Sequence, residues 1–254
     1  MLIEKGANVN ERGGLLNNPP IFYAIHKNAV KIVELLIENG ADLSINIYAK
    51  EYKIETQLVH YAIQKNCKAI LKLLLKNGAS VNGLDQLGNP PLSDAAYYGN
   101  TEAAKLLLEQ HAKVNFQNAW TKWTALHYAA SQGKSKTAKL LIDHGANVSE
   151  KAIYQDDDLM TTQPYLTPLV AATIWGFAGR TATVRVLLEN GADPNIKGKY
   201  EQTAIHHAAI EDSYGTVELL LKHGANPNIT DAFGITAYNI ASEKVLELLR
   251  QHQR

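Results

Sequence analysis

The sequence predicts an all-α solenoid assembled from a repeated helix-turn-helix unit, and three observations point there. A leucine-rich run ending in a small-residue stop recurs along the whole chain. A Thr- or Pro-led hexapeptide ending in Ala recurs ahead of those stops, and the stretches between carry apolar residues at helical spacing. The stops are Glu4-Lys5-Gly6-Ala7, Asn39-Gly40-Ala41, Asn77-Gly78-Ala79, Gln110-His111-Ala112, His144-Gly145-Ala146, Asn190-Gly191-Ala192 and His223-Gly224-Ala225. They are 34, 38, 33, 34, 46 and 33 residues apart, a base period of 33 carrying insertions. A period of that size marks a solenoid, in which each unit buries its apolar face only against its neighbours.

The first helix of each unit opens at the hexapeptide. Its copies are Pro19-Pro20-Ile21-Phe22-Tyr23-Ala24, Gln57-Leu58-Val59-His60-Tyr61-Ala62, Pro90-Pro91-Leu92-Ser93-Asp94-Ala95, Thr124-Ala125-Leu126-His127-Tyr128-Ala129, Thr167-Pro168-Leu169-Val170-Ala171-Ala172 and Thr203-Ala204-Ile205-His206-His207-Ala208. A hydroxyl there can cap free amides, and a Pro loses nothing because its missing N–H had no partner. Four residues beyond the Ala stand Asn28, Asn66, Gly99, Gly133, Gly176 and Asp212. These residue types tolerate the left-handed backbone that a tight turn between two helices needs. The second helices then read Ile32-Val33-Glu34-Leu35-Leu36, Ile70-Leu71-Lys72-Leu73-Leu74, Ala138-Lys139-Leu140-Leu141-Ile142 and Val217-Glu218-Leu219-Leu220-Leu221, apolar at i, i+3 and i+4 with charge outward. Each buried Leu contributes roughly 1.5 to 3 kcal/mol, so a stack needs no large central core.

The hexapeptides resemble the T-P-L-H-x-A signature of ankyrin repeats, and the resemblance, carried by six copies in phase with the Gly-Ala stops, covers nearly the whole chain. It implies a β-turn finger, a short first helix and a longer second helix in each unit. On that basis residues 1–15 form a partial N-terminal repeat, 16–232 six ankyrin repeats, and 233–254 a shortened capping repeat whose helices are expected to be shortened or fused. Fingers are enlarged near 44–56 and 150–166, the latter containing Asp156, Asp157 and Asp158. Three further residues lengthen the fifth inter-helix turn. Insertions in such arrays fall on loops, and loops gathered on one face are often the binding face. Because the chain starts inside a second helix, Ile21, Phe22, Ile25, Ile32 and Leu36 are expected to lose cover, inviting weak self-association through the N-terminal repeat.

Charge and composition exclude several classes. Lys plus Arg equals Asp plus Glu at 25 each, so no global field favours nucleic acid or an anionic membrane. The single Cys67 forms no intramolecular disulfide framework and fits a reducing compartment. Met1 to Lys5 do not resemble a signal peptide, and no apolar run reaches the length of a membrane span. A cytoplasmic or nuclear setting is expected, with no nucleic-acid or membrane partner.

No catalytic constellation is legible, and the chain is read as a non-enzyme without cofactor or metal. His60, His127 and His206 occupy the fourth position of the signature and read as helix-start hydrogen-bonding residues. His144 and His223 sit where a donor suits free helix-end carbonyls. Adjacent His206 and His207 point to different faces of a helix. The three consecutive acids lack the spacing of a calcium loop, and no G-x-S-x-G, H-E-x-x-H or phosphate loop occurs.

What remains is a binding surface. The resemblance implies a concave groove formed by finger tips and first helices, and onto it map Asp94, Tyr97, Tyr98, Trp120, Trp123, Tyr128, Trp175, Tyr200 and His207. All three tryptophans of the chain fall on this strip, and aromatic residues dominate interface energetics. Asp94, one turn before Tyr98, is an acid positioned to receive a Lys or Arg of a ligand. The function predicted is a non-catalytic protein-protein interaction module binding a peptide or folded protein through an aromatic-rich groove. The alternative is a targeting domain of a larger enzyme or effector.

Overall fold

A computed structural model describes residues 5–14, 16–49, 54–153, 166–175 and 179–252. Several features named above lie outside the described residues: residues 1–4, residues 50–53 of the first enlarged finger, residues 154–165 of the second with Asp156 to Asp158, and Gly176. The chain divides into two compact units, residues 1–95 with 100–113, and residues 96–99 with 114–254.

In the first unit, α1 (Pro20–His26) and α2 (Val30–Glu38) are followed by a hairpin of β1 (Asn46–Ala49) and β2 (Ile54–Gln57), then α3 (Leu58–Gln64) and α4 (Lys68–Lys76). The opening turn of α5 (Pro91–Tyr98) and α6 (Thr101–Glu109) complete it. Helix α1 packs on α3, α2 on α4, and α4 on α6. The hairpin, with Asn46 opposite Gln57 and Ala49 opposite Ile54, is the enlarged finger. Asn18 pins it, its side chain donating to the Tyr48 carbonyl at 2.8 Å and accepting from the Tyr48 N–H at 3.0 Å.

The second unit contains the end of α5, then α7 (Ala125–Ser131), α8 (Ser135–Asp143), α9 (Pro168–Trp175), α10 (Arg180–Glu189), α11 (Ala204–Ile210), α12 (Tyr214–Lys222), α13 (Ala237–Ile240) and α14 (Glu243–Gln251). Here α7, α9, α11 and α13 stack in turn, as do α8, α10, α12 and α14. The base of the long finger is closed by paired Ala152 and Leu166. Of the terminal pair α13 is shortened to 4 residues while α14 keeps the 9 residues of α12, and the two are not fused, because Ala241 is extended and Ser242 starts a new helix by accepting the Val245 N–H. No helix among the described residues is long and apolar enough to cross a membrane.

The turns explain the spacing of the signatures. Asn28, Asn66, Gly99, Gly133 and Asp212 all have positive φ, between 49° and 70°. The next residue then donates its N–H back to the signature Ala, as in Ala29 to Ala24, Cys67 to Ala62, Lys134 to Ala129 and Ser213 to Ala208. The stops repeat the device: Gly40, Gly78, Gly145, Gly191 and Gly224 have φ of 83° to 87°, and the following Ala reaches back to Leu36, Leu74, Leu141, Leu187 or Leu220. This is the hydrogen-bonded helix end that glycine makes easy. His111 performs it at φ 62° without being glycine.

Burial follows the same phase. The residue eight before each stop is buried as Ile70, Ala103, Thr137, Thr183 and Thr216, but Ile32 is 53% exposed. The expectation that the whole first repeat loses cover is corrected here: Ile21, Phe22, Ile25 and Leu36 are buried. Phe22 is covered by Tyr61, with ring centroids 4.8 Å apart, and Tyr61 also hydrogen-bonds His26 at 2.7 Å. Ile32 therefore stands beside a shallow apolar groove shared with Tyr23, Ala24 and Leu36.

Two signature histidines cap helices as expected. Nδ1 of His127 accepts the Thr124 N–H at 3.2 Å and its Nε2 donates to the Leu166 carbonyl at 3.1 Å; His206 does the same with Thr203 and Ile235. These roles need a neutral ring. Burial pushes the His127 pKa down to about 4. Because the folded value lies below the unfolded one, the stabilisation is present above about pH 6.5 and is lost as pH falls toward 4, on the order of 3 kcal/mol for this ring alone. Urea denaturation at neutral pH and near pH 4.5 should show a marked loss of stability in the wild-type chain and a shallower loss in His127→Gln.

Candidate functional site

Five of the nine sequence-predicted residues converge in the second unit. Tyr97 and Tyr98 end α5, Trp123 precedes the capping Thr124, Tyr128 lies in α7 and Trp175 ends α9. Their rings form a continuous strip. Tyr98 meets Tyr97 edge-on at 5.2 Å, Tyr97 meets Tyr128 at 6.4 Å, Tyr128 meets Trp123 at 4.9 Å, and Trp123 meets Trp175 at 5.7 Å. Edge-on and tilted contacts of this kind suit the ring quadrupoles.

The strip has an anchored end and an open end. Trp123 is half-buried, and its indole N–H donates to the Ile153 carbonyl at 3.1 Å, while Ile153 donates its own N–H to Thr121 at 2.7 Å. Trp123 is thereby held by the base of the next finger. Tyr97 and Tyr98 are 43% and 41% exposed. Trp120, at the finger tip, is 64% exposed and stacks on no other ring among the described residues. The side chain of Asn118 sets that tip by accepting the N–H groups of Trp120 and Thr121.

The other candidates lie elsewhere. Tyr200 pairs with Phe233, ring centroids 6.0 Å apart, and Lys199 places its ammonium 4.8 Å from the Tyr200 ring. Phe233 was missed by sequence reasoning, although it fills the same finger position in Asp231-Ala232-Phe233-Gly234 that Leu87 fills in Asp85-Gln86-Leu87-Gly88. His207 is half-buried, and burial, reinforced by His206, holds its pKa down at about 4, so it is a neutral ring at neutral pH.

Asp94 differs from its expected role as a free acid. In the first unit it accepts from His60 Nδ1 at 3.0 Å and from Gln64 Nε2 at 3.0 Å. His60 also departs from the capping role, since Gln57 stands where Thr124 and Thr203 precede the other two signature histidines, and the ring turns to Asp94, while Nε2 donates to the Gly83 carbonyl at 3.0 Å. Burial opposes a charged ring here, but the hydrogen bond and charge of Asp94 outweigh it and raise the His60 pKa. Asp85 lies close by, its pKa raised chiefly by burial. Two departures from the repeat pattern signalled this grouping in the sequence: Gln57 in the Thr position and an acid at Asp94.

Comparison with known proteins accords with this architecture. Sequence families described as ankyrin repeats in three copies match residues 59–152 and 92–198, ankyrin repeats in many copies match 187–241, and a single ankyrin repeat matches 16–45. The chain belongs to the ankyrin-repeat family. Among solved structures it is similar to the human ASB11 ankyrin repeat domain, with a TM-score of 0.75 and 26% identity over 92% of this chain and 98% of that one. Among curated proteins it is 30% identical to palmitoyltransferase AKR1 of Lachancea kluyveri over 59% of this chain and 20% of that protein. It is also 33% identical to ankyrin repeat and SOCS box protein 6 of Homo sapiens, over 44% of this chain and 24% of that protein. The matched region thus spans about a fifth to a quarter of these relatives. Ankyrin repeats are protein-protein interaction modules, and the repeat fold is typically non-catalytic.

The two ends of the strip should respond differently to truncation. Trp123→Ala removes a hydrogen-bonded, half-buried anchor and should cost about 2 kcal/mol or more of stability, whereas Tyr98→Ala should cost under about 1 kcal/mol. Urea midpoints of the two variants check this; equal losses would mean the strip has no anchored end.

Proposed function

We propose that the chain binds a peptide or folded protein through the aromatic strip of its second unit. The observation supporting this is the continuity of Tyr98, Tyr97, Tyr128, Trp123 and Trp175, held by the hydrogen bond of Trp123 and open to solvent at Tyr97 and Tyr98. A rigid aromatic surface offers contact area at small entropic cost, because the rings are already held before a partner arrives. Exposed Trp120 and the Tyr200–Phe233 pair supply further apolar contacts in the same unit. The partner is received without chemistry being done on it. A cytoplasmic setting belongs to the same proposal.

A second reading rests on the relatives. The match covers only a fifth of a protein named a palmitoyltransferase, which favours a repeat array that delivers a catalytic or effector segment to its target. In both readings the strip does the recognising.

A photo-crosslinking residue placed at Trp120 or Tyr98, with a control at Lys139 on the exposed side of α8, identifies what binds and where. Labelling from the strip positions only is expected. Against the partner so identified, Trp120→Ala and the Tyr97→Ala, Tyr98→Ala double variant should weaken binding by about 2 kcal/mol, roughly thirtyfold, with helical signal retained. Equal labelling from Lys139, or unchanged affinity, would remove the strip as the site.

A further inference from the structure

The signature histidines allow a comparison within one chain. At His127 and His206, Nε2 donates to a carbonyl of the following finger while Nδ1 is occupied by the capping Thr124 or Thr203. At His60 the first half of this arrangement persists, with Nε2 bonded to Gly83 at 3.0 Å. The second half is gone, because Gln57 has no hydroxyl at the capping position. Nδ1 is released from the cap and turned to Asp94. The residue at the Asp94 position of the other copies is Tyr23, Tyr61, Tyr128, Ala171 or His207, so this carboxylate is particular to the third copy.

The result is a nitrogen and two carboxylates gathered in one place. His60, Asp85 and Asp94 each offer a ligand atom, and these atoms all lie within 4.8 Å of one another. Asp85 uses Oδ1 to hold the finger amides of Leu87 and Asn89, which leaves Oδ2 outside those bonds. Gln64, one turn after His60, donates to Asp94 and leaves its buried Oε1 without a hydrogen-bond partner. The ion pairs found among the described residues bring no lysine or arginine to either carboxylate. Two carboxylates and one imidazole therefore share a mostly buried space whose negative charge a divalent cation would balance.

We propose that His60, Asp85 and Asp94, with Gln64 beside them, form a site for a divalent transition cation of the zinc class. The imidazole meets the usual requirement of such ligands, since its second nitrogen is oriented by a backbone carbonyl. One nitrogen with two or three oxygens is a borderline donor set, which suits Zn2+ and its spectroscopic substitute Co2+ better than Ca2+. Bonds of about 2.0 to 2.2 Å to a tetrahedral ion place ligand atoms roughly 3.4 Å apart. The widest separation must shorten by on the order of 1 Å, a movement that carboxylate rotation provides. The site lies within the first unit.

The test uses the full chain stripped with chelator, with Zn2+ titrated calorimetrically and Co2+ followed by its ligand-field absorption. The expected result is one ion per chain and the intense Co2+ bands of low-symmetry, near-tetrahedral coordination. Asp94→Asn should weaken binding at least about tenfold. Gln57→Thr restores the hydroxyl that occupies Nδ1 in the other two copies, so it should abolish binding while keeping or raising thermal stability; it decides the matter if Asp94→Asn does not fold. His144→Gln, at an exposed helix end, should bind as wild type. Absence of Zn2+ heat and Co2+ bands in the wild-type chain would overturn the proposal. So would unchanged affinity in Gln57→Thr, or loss of binding only in His144→Gln, which would assign the ion to surface histidines.

Discussion

Every repeat depends on one backbone bond: the amide that follows a left-handed residue reaches back to a carbonyl on the helix just ended. The bond from Lys134 to Ala129 closes a first helix, and that from Ala146 to Leu141 closes a second. Both are placed by a residue with positive φ, Gly133 in one case and Gly145 in the other. If such a turn slipped by one residue, the following helix would rotate by about 100°, and its apolar stripe would leave the neighbouring repeat. The uniform burial of Ile70, Ala103, Thr137, Thr183 and Thr216 is a consequence of these turns being kept in phase. Polar Thr is tolerated there because its hydroxyl is bonded, as in Thr183 to the Gly179 carbonyl and Thr216 to Thr181.

Much of this was legible in the sequence because the turns are written in residue types. Asn28, Asn66 and Asp212 were identified as turn formers from spacing alone, and all three have the left-handed backbone. The continuity of the rings was less legible. Spacing placed Trp120 and Trp123 in one finger, but not that Trp123 would turn inward to Ile153 and Trp175 while Trp120 faced water. That division is made by the next finger, a contact with no periodic signature. The commitment of Asp94 to His60 left only an indirect trace in the sequence. It arises from two substitutions, Gln57 and Asp94, that break the repeat in adjacent copies and act only together.

The departures from the repeat are therefore where function is to be sought. Residues that obey the pattern are spent on stacking: His127 is fully occupied as a cap, and burial of the ring in the stack depresses its pKa. Tyr97, Tyr98 and Trp120 remain in contact with water. An array whose stability is distributed through neighbour contacts can vary such positions without endangering the fold. This is how a common scaffold comes to present one particular surface, and the surface proposed for this chain is aromatic.

Hydrogen exchange with and without a bound partner tests the central claim most directly. If the strip is the recognition surface, partner binding will slow exchange in the finger holding Trp120 and Trp123, in α7 and at the end of α5, while α8 and α12 exchange as before. Protection that instead appears at α2 around Ile32, or evenly over the second helices, would contradict the account.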